Sequence, residues 1–536
     1  MKRTLKVSLL SILIIISLSI SSLTMHAAPS TRNGGGDEIL LQGFYWGAWD
    51  APGSWYNTMS SKADMIADAG ITMIWSPGPW DDDSTNTGGS GYWWHDFGLD
   101  SAHGTEGELN NMISTMNAKG IGVIFDIVAN HADRFHPDSP WPTYSNIWRA
   151  NAWEPGYSFS EENELNTGNA YPYIRDAMMV LKNKGAAGWR YDVCHGYPSD
   201  RALGWNNDTN ASFVVGEYDW SGYNPTSGNL EDWCAATGST GFDFYEKWNL
   251  NSGNPSTFGG LHTNPRAEAR ARAVTFVENH DSEISRGNGN QAPDDSQGAR
   301  SKCYAWILAT PGTPCIFWSD LIGGGVGYDW LKSMIWVRKN AGIRADSKIL
   351  YDETNGGTGR AVIVEGTNHN IAIALDWPDW KPSNGNHHAA ASGWNGYMNV
   401  WTNVGNSGGG NGNGGNGGNE VTKVVAHYDV GYGNSMSIRG DTSPLNWNNG
   451  IQMTNTGSDT WVWETTAIPK GQKFECKVLI NDSNWATDSN WWVYGGDTID
   501  IYPNFGYGGL KPDEQLFMTF GLLSNANIRL TSLPQN

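Results

Sequence analysis

The chain has 536 residues, with 55 acidic against 34 basic side chains and a formal charge of −21 at pH 7. So negative a surface argues against nucleic acid as a partner, and the length leaves room for two to four domains whose cores need no disulfide staples. The 29 tryptophans and 21 tyrosines are apolar on the ring face and polar at the edge, which suits the C–H faces of sugars wherever they are not simply core.

The N-terminus reads as an export signal. Lys2, Arg3 and Lys6 precede an uncharged apolar run at 7–23, and Ala27 and Ala28 supply small residues for cleavage. A membrane anchor is the alternative, but the run is short, is interrupted by Ser11, Ser17, Ser19, Ser21 and Ser22, and has no basic stop behind it. Loss of 1–28 leaves a secreted, extracellular protein with a charge of about −24 and no membrane partner.

Short β-rich apolar runs follow: "EILLQGF" (38–44), "ITMIWSP" (71–77), "GIGVIFDIV" (120–128), "AAGWRYDV" (186–193), "SFVVGE" (212–217), "GFDF" (241–244), "AVTFVEN" (273–279) and "PCIFW" (314–318). Between several of them lie helical stretches that close on glycine, at 55–70, 105–120 and 171–185. Eight alternating units with continuous apolar strands predict an α/β fold, a parallel (β/α)8 barrel over 29–345. A long insertion after the third strand, about 132–170, is rich in Trp, Pro, Asn and Glu and lies on the face where such barrels bind ligands. Strand-like runs without helices predict a small antiparallel β-domain over 346–405. The segment 406–419 contains only Gly, Asn and Ser and is a flexible linker spanning about 20 Å. Beyond it, 420–536 alternates like a β-sandwich before an unassigned tail from 506. The five cysteines show no C-x-x-C spacing, so neither a zinc site nor a disulfide framework is legible.

Four acids stand at strand ends: Asp126, Asp192, Glu217 and Asp281. In a barrel these ends share one mouth, and a pair of carboxylates there can divide acid and nucleophile work on a glycosidic bond. Arg190 points the same way as Asp192, two residues on along a strand, and is expected to keep it ionised.

The motifs "DIVANH" (126–131), "GWRYD" (188–192), "VVGE" (214–217) and "FVENHD" (276–281) resemble, in order and spacing, the four signature segments of the α-amylase family, glycoside hydrolase family 13. That resemblance covers about 36–405. It implies retaining hydrolysis of α-1,4-glucosidic bonds in starch and maltooligosaccharides, with Asp192 as nucleophile, Glu217 as acid and base, and Asp281 stabilising the transition state. It also implies that Arg190, His131 and His280 bond to the sugar at the cleavage point, that Tyr92 of "GYWWHDF" stacks beneath it, and that His195 contacts the leaving side. A calcium ion (Ca2+) is implied between barrel and insertion, held by Asn130, Glu164 in place of an aspartate, and the Gly196 carbonyl. Trp93 and Trp94 are either platform or core, Asp96 is structural, and Cys194 is a small buried thiol.

Within the family, "EILLQGFYW", "ELNTG" and "WRYDVCHGY" are most similar to bacterial maltotetraose-forming and plant-type α-amylases, with exo versus endo action left open. A transglycosylase of the same fold and a non-enzymatic sugar-binding barrel are the rivals. "SPLNWNNG", "FECKVLI" and "NWWVYGG" resemble family-20 starch-binding modules, which nominates Trp447 and Trp492 as a stacking pair beside Lys477. The protein is expected to act as a monomer.

Overall fold

A computed structural model describes residues 31–82, 89–140, 145–156, 158, 161–218, 227–284, 292–293, 298–405, 421–469, 472–487, 490–496, 498–503 and 505. The expected export segment, the linker and the tail from 506 lie outside the described residues. Among those described, no helix is long and apolar enough to cross a membrane.

Eight parallel strands close into a barrel: β1 (Leu40–Gln42), β2 (Met73–Ser76), β3 (Gly122–Ile127), β4 (Gly188–Tyr191), β5 (Phe213–Gly216), β6 (Thr240–Phe242), β7 (Ala273–Phe276) and β8 (Thr313–Phe317). Closure runs through Leu40, which pairs with Met73 on one side and Cys315 on the other. All eight overlap the apolar runs: β1 to β5 lie inside them, β7 begins with its run at Ala273, and β6 and β8 begin one residue earlier, at Thr240 and Thr313. Almost every strand residue is buried, as expected of strands covered by helices outside and side chains within.

The helix Glu106–Ala118 shows how local sequence sets a boundary. Thr105 and Glu108 form a reciprocal capping box, and Leu109, Met112, Ile113 and Met116 line the buried face at i, i+3, i+4 and i+7. The segment 55–70 is two helices, Trp55–Ser61 and Ala63–Asp68, broken at Lys62. The helix expected from 171 starts at Thr167, with Pro172 inside it, because Asn166 caps it by accepting from Asn169 N–H.

A five-stranded antiparallel sheet follows in the order β12-β13-β11-β10-β9, from β9 (Ile349–Thr354), β10 (Arg360–Val364), β11 (Asn370–Leu375), β12 (Asn386–His387) and β13 (Met398–Val404). Three of these, β10, β11 and β13, fall on the strand-like runs "GRAVIVEG" (359–366), "NIAIALDW" (370–377) and "GYMNVWTN" (396–403). β9 is largely exposed and β12 has two residues, so neither carries a clear apolar alternation.

Beyond the linker, one sheet combines β14 (Thr422–His427), β17 (Thr454–Asn455), β18 (Thr460–Thr465) and β22 (Thr498–Ile501). The second combines β15 (Met436–Gly440), β16 (Ile451–Gln452), β19 (Lys473–Ile480), β20 (Asn484–Trp485) and β21 (Trp491–Tyr494). Val424, Ala426, Ile438, Phe474, Cys476 and Val478 form their shared core.

Candidate active site

The four strand-end acids do converge, and Arg190 is the centre of the arrangement. Its Nη1 donates to both Asp126 oxygens at 2.8 and 3.0 Å and to Asp192 Oδ1 at 2.7 Å, while Nη2 pairs with Glu217 Oε2 at 2.8 Å. The guanidinium is 1% exposed and lies over the Trp75 ring at 4.8 Å. One buried cation thus holds three carboxylates, with Asp192 on one of its terminal nitrogens and Glu217 on the other.

The turn after β4 aims the neighbouring groups. Val193, a β-branched residue, is held at φ 40°, in the left-handed region such side chains avoid. Its N–H donates to Glu217 Oε2 at 3.0 Å and Cys194 N–H to the Glu217 carbonyl at 3.1 Å. These bonds tie β4 to β5 and start the short turn Cys194–Gly196. Cys194 is buried against Gly216, where a Cβ would also strike the Trp233 ring. Burial pushes its thiol well above the ordinary range, so it is an unreactive packing group.

A second network runs beneath the acids. Gln42 Nε2 donates to His280 Nδ1 at 2.9 Å, which leaves Nε2–H to donate to the Tyr92 hydroxyl at 2.7 Å, and that hydroxyl donates to Asp126 Oδ2 at 2.9 Å. Trp75 Nε1 also donates to Asp126 Oδ2, at 3.2 Å. Burial, then the charge of Arg190, push His280 well below the usual histidine range, so the ring is neutral. In this arrangement both ring nitrogens of His280, expected to bond to sugar, are engaged by Gln42 and Tyr92. The Trp46 ring stacks parallel to Tyr92 and His280, with centroids 5.8 and 5.9 Å away. Trp46 and Gln42 lie in "EILLQGFYW", which the sequence reading used for the strand and the subgroup alone.

His131 is buried against the Trp93 ring, 5.0 Å away, and burial pulls it down to about 4. His195 packs edge-on to Tyr218 at 5.7 Å; burial lowers it too, opposed by the charge of Glu217. Trp94 is core, its Nε1 donating to the Val128 carbonyl at 2.8 Å, and Trp93 is half-buried. Asp96 accepts from Gly98 N–H at 2.5 Å and so fixes a turn.

The acids' proton affinities differ from the sequence expectation in one respect. Burial raises Asp192 well above the ordinary carboxylate range; Arg190 pulls it down, and Glu217 and Asp126 push it up again. Arg190 therefore opposes protonation of Asp192 without cancelling the cost of burying its charge. Asp281 is pushed up to about 7, by desolvation first and then by the charge of Glu217. Half of its side-chain surface opens to the cleft, and that exposure tempers the shift.

The chain matches the family model "Alpha amylase, catalytic domain" over residues 33–141, and domain C of glucan 1,4-alpha-maltotetraohydrolase over residues 326–385. It is 33% identical over 509 residues to the glucan 1,4-alpha-maltotetraohydrolase of Roseateles saccharophilus, covering 87% of this chain and 92% of that one. The chain belongs to the α-amylase family. A second relative, the glucan 1,4-alpha-maltotetraohydrolase of Stutzerimonas stutzeri, is 32% identical over 552 residues, covering 94% and 99% of the two chains. The γ-CGTase of an alkalophilic Bacillus clarkii superposes with a TM-score of 0.52 at 15% identity, over 89% of this chain and 99% of that one, a likeness of fold alone. This α-amylase family member is accordingly a glycoside hydrolase of family 13 type.

Many α-amylases bind calcium, but the groups nominated for that ion are differently engaged here. Glu164 Oε2 pairs with Arg149 Nη1 at 2.7 Å, and Arg149 Nη2 donates to the Gly196 carbonyl. Asn130 is fully buried, its side-chain amide makes no hydrogen bond, and a Cβ on Gly196 would collide with its oxygen. The orphaned amide would suit a cation; the guanidinium between the other two groups does not. As arranged, these residues do not fit a calcium ion, which needs six to eight oxygens. Nothing in the sequence reading had singled out Arg149.

In the β-sandwich, Trp447 is half-buried and its ring lies 6.3 Å from that of Trp485, which is 38% exposed and has the Arg439 guanidinium 5.0 Å from its centroid. Among the described residues Trp485 is thus an aromatic neighbour of Trp447, the residue expected to pair with Trp492. The Trp492 side chain lies outside the described residues, although its backbone pairs with Glu475, two positions from Lys477 on β19.

Proposed function

We propose that this chain is a secreted, monomeric, retaining exo-hydrolase of starch and maltooligosaccharides that releases short α-1,4-linked products of the maltotetraose class. The observation that carries the reading is full-length similarity to two glucan 1,4-alpha-maltotetraohydrolases, together with the match to their domain C. The general endo-acting reading is thereby less well supported than the exo-acting one.

In this reading an Asp192 carboxylate oxygen bonds to the anomeric carbon as the glycosidic bond to the leaving oxygen breaks, and Glu217 passes its proton to that oxygen. Glu217, now a carboxylate, takes a proton from water, whose oxygen displaces Asp192. Two inversions at one carbon retain the α-anomer. Asp281 and Arg190 stabilise the charge that develops between these steps, Tyr92 and Trp46 supply ring faces, and His131 and His195 line the sugar. No step passes through a metal ion.

A time course of products from amylose tests the subtype. One dominant short product from the earliest points is expected; a ladder that shortens with time would remove the exo reading, and growth of longer chains without net hydrolysis would indicate a transglycosylase.

A further inference from the structure

Arg149 lies where the insertion meets the ends of β3 and β4. The stretch Glu164–Leu165 runs between two partners. On one side Leu165 N–H donates to the Asn130 carbonyl at 2.9 Å and Ala132 N–H to the Asn163 carbonyl at 3.1 Å. On the other, Arg149 N–H donates to the Glu164 carbonyl at 2.8 Å, and Trp148 bridges to Leu165. The Arg149 side chain then turns inward and joins the Glu164 carboxylate of the insertion to the Gly196 carbonyl of the turn after β4. Both partners in the ion pair are almost fully buried, Arg149 at 9% and Glu164 at 1% exposed.

We propose that the Arg149 guanidinium takes the place of a calcium ion in this α-amylase, as the fixed cation that ties the insertion to the barrel. Charge supports this. The guanidinium already faces the Glu164 carboxylate, and a divalent cation among the same groups would sit beside a buried positive charge. Geometry supports it too, because the planar fork can address a carboxylate and a carbonyl at once, as a point cation can but a lysine ammonium does less well. Glu154, another buried acid of the insertion, is already committed. Glu154 accepts from Thr167 N–H and Oγ1, from Gly168 N–H at 3.1 Å and from Arg201 at 3.1 Å. Among the described residues, no group of three metal-ligating acids, histidines or cysteines gathers at this place; the one that does gather is Asp81, His95 and Asp96.

Calcium binding by the full chain, stripped with EDTA, is the test, read by calorimetric titration and by the difference in Tm between EDTA and millimolar calcium. Glu164→Gln keeps the shape of the site and a hydrogen-bonding oxygen for Arg149, and Asn130→Ala removes the orphaned amide. Calcium held elsewhere contributes equally to all three proteins. The expected result is that the isotherm and the calcium-dependent Tm difference of both variants equal those of the unaltered chain, within about 1 °C for Tm. A binding step, or a Tm rise of several degrees, that the unaltered chain shows and either variant loses would overturn the proposal.

Discussion

Arg190 binds three carboxylates at once, and the chemistry proposed for the centre follows from that imbalance of charge. A single cation cannot neutralise Asp126, Asp192, Glu217 and Asp281, so burial and their mutual repulsion raise the proton affinity of Asp126, Asp192 and Asp281. Asp281 gives this a stability signature. Its folded-state value of about 7 lies above the unfolded value near 4, so the folded protein binds more protons between them. Stability then falls as pH rises through that window. Asp281→Asn removes the dependence, so its Tm should equal or trail that of the unaltered chain near pH 4 and gain on it up to about pH 7. The gain will be smaller than for a closed-off carboxyl, because half the side chain is open to the cleft. Parallel melting curves that keep a constant gap across this range would refute the assignment. Asp192→Asn, which removes the proposed nucleophile while keeping the Arg190 contact, should cut turnover on soluble maltooligosaccharides by roughly 10⁴-fold or more with binding retained. A variant with near-normal turnover would show that another group attacks. Of these residues, all four acids and Arg190 were legible, because each ends an apolar run in a recognisable motif. Arg149 and Trp46 were not, since their positions depend on chain folded back from far along the sequence.

At the scale of elements, the insertion and the helix after it are secured by polar side chains at one point. Asn166 caps the helix Thr167–Lys184 through Asn169 N–H at 3.0 Å, and also donates to the Ala152 carbonyl. Glu154 accepts from two further N–H groups in the first turn, placing a negative charge at the positive end of the helix dipole. Asn166→Ala is expected to cost about 1 kcal/mol and lower the barrel's Tm by about 2 to 4 °C, read by circular dichroism, with the active-site acids untouched. An unchanged Tm would mean that Glu154 alone suffices. The glycine at its end marks this helix in the sequence, and its buried Ile174, Met178 and Leu181 hold it to the barrel, but its start lies four residues before the expected 171. The cap Asn166 is adjacent to the helix, whereas the support from Glu154, thirteen residues before Thr167, leaves no local sign. The same limit explains β9 and β12, whose pairing is set by neighbouring strands, whereas the eight barrel strands declared themselves because burial on both faces forces a continuous apolar run.

At the scale of the molecule, the sandwich is docked as well as tethered. Tyr502, just after β22, stacks on His388 at 5.7 Å and on His427 at 4.7 Å and packs against Trp336 at 5.3 Å, so one ring joins the sandwich to the small β-domain and to the helix Tyr328–Ala341. Deleting everything after 405 would therefore bare Trp336 and His388 as well as remove any starch contact, and weakened granule adsorption could come from either cause. Trp485→Ala in the full chain separates them. It strips an exposed ring next to Trp447 and leaves the Tyr502 contact intact. If these rings grip starch, adsorption to granules should weaken by roughly threefold to tenfold, the equivalent of about 1 kcal/mol of ring stacking. Hydrolysis of soluble maltooligosaccharides should not change, because the acids lie in the barrel. Full adsorption by this variant would remove Trp485 from the binding face, and a parallel loss on soluble substrate would mean that the sandwich acts on the barrel through the docked interface rather than by holding the granule.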